Sequence, residues 1–170
     1  VKKEKEMQLF MQQKVFSWRD RFKVWDEAEN ERYFVEGELF SWGKRLHVYD
    51  AQGGEAAFIQ QKVFSFLPRF YVYVGGEQVA EIVKRFTFFH PRYEIAGLGW
   101  EIDGDFFEHD YEIACDGRPI VSIHKQWLSW GDCYCLDIAR PEDEIPALAV
   151  VLAIDCVNEA AQAAASSASN

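Results

Sequence analysis

Arg21, Arg45 and Arg69 stand 24 residues apart, and Arg92 follows one residue early. A guanidinium presents a planar fork of donors that fits phosphate or carboxylate. Four such forks gathered at one end of a fold would bind an anion or a lipid headgroup. Lys44, next to Arg45, and Arg19, near Arg21, would join them. The competing structural reading is that each arginine satisfies turn carbonyls or covers an aromatic face within its own hairpin. A residue that recurs with a repeat commonly does a repeated structural job.

Other reactive side chains are less organised. Asp103, Asp105, Glu108 and Asp110 form an acidic run. Calcium needs several oxygens converging on one loop, and the glycine and glutamate positions here are wrong for it. Asp103-Gly104-Asp105 reads better as a hairpin turn. Cys133 and Cys135 would share one face of a strand, and with His124 or Cys115 could make part of a zinc site. Structural zinc favours closer-knit pairs, so packing of two small residues is the expectation, with no metal. His47 and His124 fall within strands, His90 precedes Pro91, and His109 adjoins Asp110. No nucleophile elbow accompanies any of them. Neither catalytic residues nor a cofactor are expected, and the chain reads as a non-enzyme.

The elements that must position these groups follow from a repeat. Phe16-Ser17-Trp18-Arg19-Asp20-Arg21-Phe22-Lys23-Val24-Trp25-Asp26 recurs as Phe40-Ser41-Trp42-Gly43-Lys44-Arg45-Leu46-His47-Val48-Tyr49-Asp50. A third copy keeps Phe64, Ser65, Arg69, Phe70, Val72 and Tyr73, and weaker copies follow. Phe22 and Val24, Leu46 and Val48, and Phe70 and Val72 alternate at period two, so each copy contains a half-buried strand. Ser17, Ser41, Ser65 and Ser129 read as turn residues. Gly53-Gly54, Gly75-Gly76 and Asp116-Gly117 supply the positive φ of tight hairpins. Each repeat is then a strand pair, and six pairs make a twelve-stranded antiparallel meander. Closure into a barrel removes its raw edges. All even strands run the same way, so the four arginines should meet at one rim. Asp26, Glu27, Glu29, Glu31, Asp50 and Glu77 should collect at the other.

A twelve-stranded barrel is too wide for its own side chains to fill. Ile145 to Val157 reads IPALAVVLAIDCV, apolar on every side except Asp155. Such a segment is buried all round. It is expected to form a plug helix of about 142–159, with Pro141, Pro146 and the acidic run Glu142–Glu144 at its start. Thirteen apolar residues span about 20 Å, short of a bilayer core, so no transmembrane span is expected. Asp155 should pair with one of the rim arginines. Residues 160–170 read as a flexible tail.

The chain has 170 residues, 16% aromatic content and a net charge of −10. That suits one domain, 7–159, and argues against nucleic acid as a partner. Residues 1–6 read as a charged extension before a start at Met7. Four cysteines without framework spacing and no visible signal peptide predict a reduced, cytoplasmic protein.

A closed twelve-stranded barrel around a C-terminal hydrophobic helix resembles the tubby C-terminal-like fold. The wording of QQKVFSWRDRF (Gln12–Phe22), VEGELFSWGKRLHVYD (Val35–Asp50), FIQQKVFSFLPRFYVYV (Phe58–Val74), GLGWEIDGDFFEHDYEI (Gly97–Ile113) and ALAVVLAIDCV (Ala147–Val157) resembles the LURP-one-related family in its short bacterial form. The resemblance implies the mainly β barrel with its central helix, and implies no catalytic residues. Tubby relatives bind membrane phosphoinositides and phospholipid scramblases share the fold. The expected function is therefore a binding or scaffold domain that meets anionic phospholipid headgroups through Arg21, Arg45, Arg69, Arg92 and Lys44, peripheral to a membrane. The alternative is a regulatory module that binds a protein partner and no lipid. A carrier of hydrophobic ligands would need an empty lumen, and a hydrolase would need a site the sequence does not display.

Overall fold

The computed structural model describes residues 7–12, 21–38, 41–85, 92–105, 109–128 and 131–168. Twelve strands appear in chain order. They are β1 (Met7–Gln12), β2 (Phe22–Asp26), β3 (Glu31–Gly37), β4 (Arg45–Asp50), β5 (Glu55–Gln61), β6 (Arg69–Val74), β7 (Glu77–Arg85), β8 (Arg92–Ala96), β9 (Trp100–Asp105), β10 (Asp110–Cys115), β11 (Arg118–Leu128) and β12 (Gly131–Ile138). A 3-10 turn at Pro141–Asp143 leads into α1 (Glu144–Ala168).

Every sequential pair from β1 to β8 and from β9 to β12 is antiparallel, and β1 joins β12 from Met7↔Ile138 to Gln12↔Cys133. The sheet thus wraps into a nearly closed barrel whose seam lies between β8 and β9. Gly97 makes the short β8–β9 connection. Its φ is +107°, and a Cβ there would sit 2.4 Å from the Val79 carbonyl oxygen, so only glycine fits.

Alternation decides which residues face in. Phe22, Val24, Leu46, Val48, Phe70 and Val72 are all buried, as the repeat predicts. The last aspartate of the phrase closes each outer turn. Asp26 Oδ1 accepts from the Ala28 and Asn30 amides at 2.9 Å. Asp50 Oδ1 does the same for Gln52 and Gly54 at 2.9 and 2.8 Å. Ser41 Oγ donates to the Gly43 carbonyl at 2.7 Å, the local turn bond expected of the repeated serines.

Helix α1 fills the lumen, with every residue from Ala147 to Val157 buried. Glu144 anchors its start to Arg32 of β3, with a shortest contact of 2.9 Å, and Arg140 grips Asp143 at 2.6 Å. Leu148, Leu152 and Ile154 pack among inward residues of the strands in one continuous core.

Three expectations need correction. The helix does not give way to a loose tail at Ala160 but continues to Ala168. Alanine is the strongest helix former, and the stretch beyond Glu159 is mostly alanine. The helix is therefore not too short to span a bilayer core. With its 3-10 lead-in, α1 has the length and composition to cross a bilayer, and burial of Ala147 to Val157 inside the barrel is what makes it a plug. Finally, Asp103-Gly104-Asp105 is no turn. It lies in β9, where Gly104 pairs with Tyr111 and a Cβ would come within 2.6 Å of the β10 backbone. Strand β10 starts at Asp110.

Candidate functional site

The even strands β2, β4, β6 and β8 all start at one end of the barrel, so Arg21, Arg45, Arg69 and Arg92 do share that end. Strand parity then sets their direction. Phe22, Leu46, Phe70 and Tyr93 point inward and are buried, so the preceding arginines point out along the wall.

Three of these arginines meet a glutamate of this chain. Arg21 donates to Glu36 at 2.6 Å and lies 5.9 Å from the Phe34 ring centroid. Arg45 reaches Glu38 at 3.4 Å, and Arg69 pairs with Glu81. Arg92 is exposed and sits across from Arg85, whose own partner is Glu94 at 2.9 Å. The belt is therefore locally neutralised, which fits the structural reading of the repeat. Exposed pairs of this kind add little stability. Arg19 lies outside the described residues.

Lys44 differs from its neighbour Arg45. It shares parity with Leu46 and Val48, so it turns towards the plug and meets Glu159 of α1 at 3.3 Å. Burial lowers its pKa, and the nearby Glu159 carboxylate opposes that shift. Beside it, the inner mouth of the barrel is polar. Lys84 Nζ donates to Asn158 Oδ1 at 3.3 Å and lies 5.6 Å from the Tyr93 ring centroid. The Tyr93 hydroxyl donates to the same Asn158 oxygen. Burial also lowers Lys84 and pushes the Cys156 thiol far up, so that thiol stays protonated and unreactive.

Among the described residues Asp155 pairs with no arginine. Its Oδ1 meets His109 Nε2 at 3.0 Å, and the His109 ring stacks on Tyr134 with centroids 4.0 Å apart. The reason is again parity. The arginines face out, whereas His109 shares the inward face with Tyr111 and Ile113. Asp155 is buried among His109, Tyr93 and Tyr111, with Cys156 adjacent in α1. Burial raises its pKa, and the His109 hydrogen bond and charge only partly offset that.

A carboxyl raised in the folded state contributes stability that is full below its unfolded value of 3.8 and is lost as pH rises through the folded value. Asp155→Asn should therefore be more stable than the wild type at neutral pH and lose that advantage towards the unfolded value. Thermal unfolding at both pH values checks this. A variant less stable than wild type at neutral pH would mean that the ionised pair with His109 is a net gain.

Beyond the rim, two neighbouring connections carry aromatics into solvent. The connections are β3–β4 and β5–β6, tied together by Lys44 N–H to Gln61 Oε1 at 3.0 Å and Gln61 N–H to Lys44 O at 2.8 Å. Trp42 is 80% exposed, Phe64 94% and Phe66 101%, with Val63 at 40%. Lys62 is exposed beside them. Sequence reasoning used these aromatics as markers of the repeat and missed their exposure. The available signal was their place between strands, where no inward face exists to receive them. The equivalent Phe16, Trp18 and Phe40 lie outside the described residues.

On the outer wall Cys133 and Cys135 cluster with Phe10, and Leu128 packs against them; Cys135 also lies beside His124 and Asp137.

This architecture, a nearly closed antiparallel barrel around a hydrophobic C-terminal helix, defines a class of β-barrel domain. The chain belongs to the LURP-one-related family, which it matches over residues 7–155. It is 42% identical over 152 residues to the uncharacterized protein YxjI of Bacillus subtilis strain 168, covering 89% of this chain and 93% of that protein. Its fold is similar to an X-ray structure of an Arabidopsis thaliana protein, with a TM-score of 0.61 at 13% identity, over 90% of this chain and 91% of that one.

Proposed function

We propose that this domain binds without catalysing, docking the arginine end of its barrel on an anionic phospholipid surface at the cytoplasmic face of a membrane. The observation that carries the reading is the trio Trp42, Phe64 and Phe66, on two adjoining connections at one end with their side chains in water. Large apolar side chains clustered in the open mark an interaction surface. Tryptophan and phenylalanine favour the headgroup level of a bilayer. The local charge supports an anionic surface, because Lys62 and Arg92 are exposed at or beside this end in a chain that is acidic overall. The paired arginines supply less than the repeat suggested, so insertion of the tips is the larger contribution.

Sedimentation with phosphatidylglycerol vesicles and with neutral phosphatidylcholine vesicles, at low and physiological salt, tests the proposal. Retention on the anionic vesicles with only modest weakening by salt is expected. Absence from both pellets at both salt concentrations would overturn it and turn the same aromatic tips towards a protein partner.

A further inference from the structure

His124 of β11 and Cys135 of β12 are direct cross-strand partners, and Asp137 lies two residues further along β12 on the same outward face. One ligand atom from each, an imidazole nitrogen, a thiol sulfur and a carboxylate oxygen, falls within 4.8 Å of the other two. His124 Nδ1 is 3.3 Å from Asp137 Oδ2, and Cys135 Sγ is 3.9 Å from Asp137 Oδ1. A tetrahedral ion bound at about 2.0–2.3 Å holds its ligands roughly 3.3–3.8 Å apart. Shifts of about an ångström or less would therefore close these side chains on one ion.

We propose that His124, Cys135 and Asp137 form a site for a zinc-class divalent cation, with a fourth position open to water or an incoming ligand. Mixed nitrogen, sulfur and oxygen donors suit zinc, whereas calcium and magnesium require oxygen throughout. The frame is rigid, since two ligands sit on one strand and the third on its hydrogen-bonded neighbour. Gln8 of β1 donates to Asp137 Oδ1 at 2.6 Å and holds the carboxylate in place. The His124 and Asp137 side chains are 41% and 29% exposed, so an ion can enter from solvent. In the metal-free protein, burial and the Asp137 charge push the Cys135 thiol up to about 12. Coordination replaces the S–H bond with a metal–sulfur bond and releases that proton to water. Cys133 is directed elsewhere, its Sγ donating to the Gln126 carbonyl at 3.3 Å.

Titration with cobalt(II), a coloured stand-in for zinc, reads the site directly. Wild-type protein should develop a near-ultraviolet thiolate-to-cobalt charge-transfer band that saturates at one ion per chain and is bleached by zinc. Cys135→Ser should lose the band, and Cys133→Ser should keep it. His124→Ala and Asp137→Asn should each weaken zinc binding at least tenfold. Gln8→Leu, which removes only the bond that orients Asp137, should weaken it about tenfold. Circular dichroism confirms that each variant is folded. If Cys135→Ser does not fold, His124→Ala decides, because its side chain is partly exposed. A wild type with no band would overturn the site, as would a band that survives Cys135→Ser or disappears in Cys133→Ser.

Discussion

Replacing Trp42, Phe64 and Phe66 together by serine is expected to weaken retention on phosphatidylglycerol vesicles a hundredfold or more while leaving thermal stability unchanged. Burying one large apolar side chain contributes about 1.5–3 kcal/mol, and each 1.4 kcal/mol is a factor of ten. Three tips that insert even halfway therefore account for roughly two orders of magnitude. Stability should hold within about 0.5 kcal/mol, because these side chains are exposed and leave no cavity. Arg45→Glu with Arg69→Glu is the informative comparison. Both arginines already have glutamate partners, so reversal would create repulsion on the wall as well as lower the rim charge. A smaller loss of binding than in the serine variant, larger at low salt, is expected. Wild-type retention in the serine variant would show that the aromatic tips do not meet the lipid.

The second large effect concerns the plug. Leu152→Ala should cost about 3–5 kcal/mol, because Leu152 is 1% exposed and the surrounding strands cannot collapse into the space it leaves. For a domain of this size each kcal/mol lowers Tm by about 2–4 °C, so a drop of roughly 6–20 °C is expected. Ala163→Gly, on the exposed continuation of the same helix, should cost no more than about 1 kcal/mol, the difference in helix propensity. The contrast separates a helix held by the barrel from one held by its own backbone. A loss below about 1 kcal/mol for Leu152→Ala would mean that α1 spends much of its time outside the lumen. That result would carry weight because α1 also has the length and hydropathy of a membrane span.

The two experiments address opposite ends of one arrangement. Lys44 and Lys84 turn from the rim onto Glu159 and Asn158, so the same mouth that carries the exposed tips also clamps the far half of the plug. An account of membrane docking that leaves α1 in place predicts vesicle binding without loss of the Leu152 effect.

The amino-acid sequence by itself determined the strands, their order and the identity of the plug. Period-two alternation in Phe22–Val24, Leu46–Val48 and Phe70–Val72 is a local property, and a repeat of such pairs leaves few topologies. An apolar segment with no polar face, Ile145 to Val157, can only be buried. Even the common end of the four arginines followed from counting strands. What sequence could not show was where each side chain ends. Asp155 found His109 because the inward parity of β10 aims that ring at the helix, across 46 residues of chain. The glutamates that answer Arg21, Arg45 and Arg69 lie on β3, just past its end, and on β7, and the ladders to the neighbouring strands set which residues meet. Asp137 joined His124 and Cys135 only through the β11–β12 ladder. The place of Trp42, Phe64 and Phe66 between strands signalled their exposure, but tertiary structure decided it, since an aromatic residue is inside or outside according to what the rest of the chain leaves room for. Secondary structure obeys local periodicity, whereas a site is a coincidence of distant residues, and only the closed barrel brings them together.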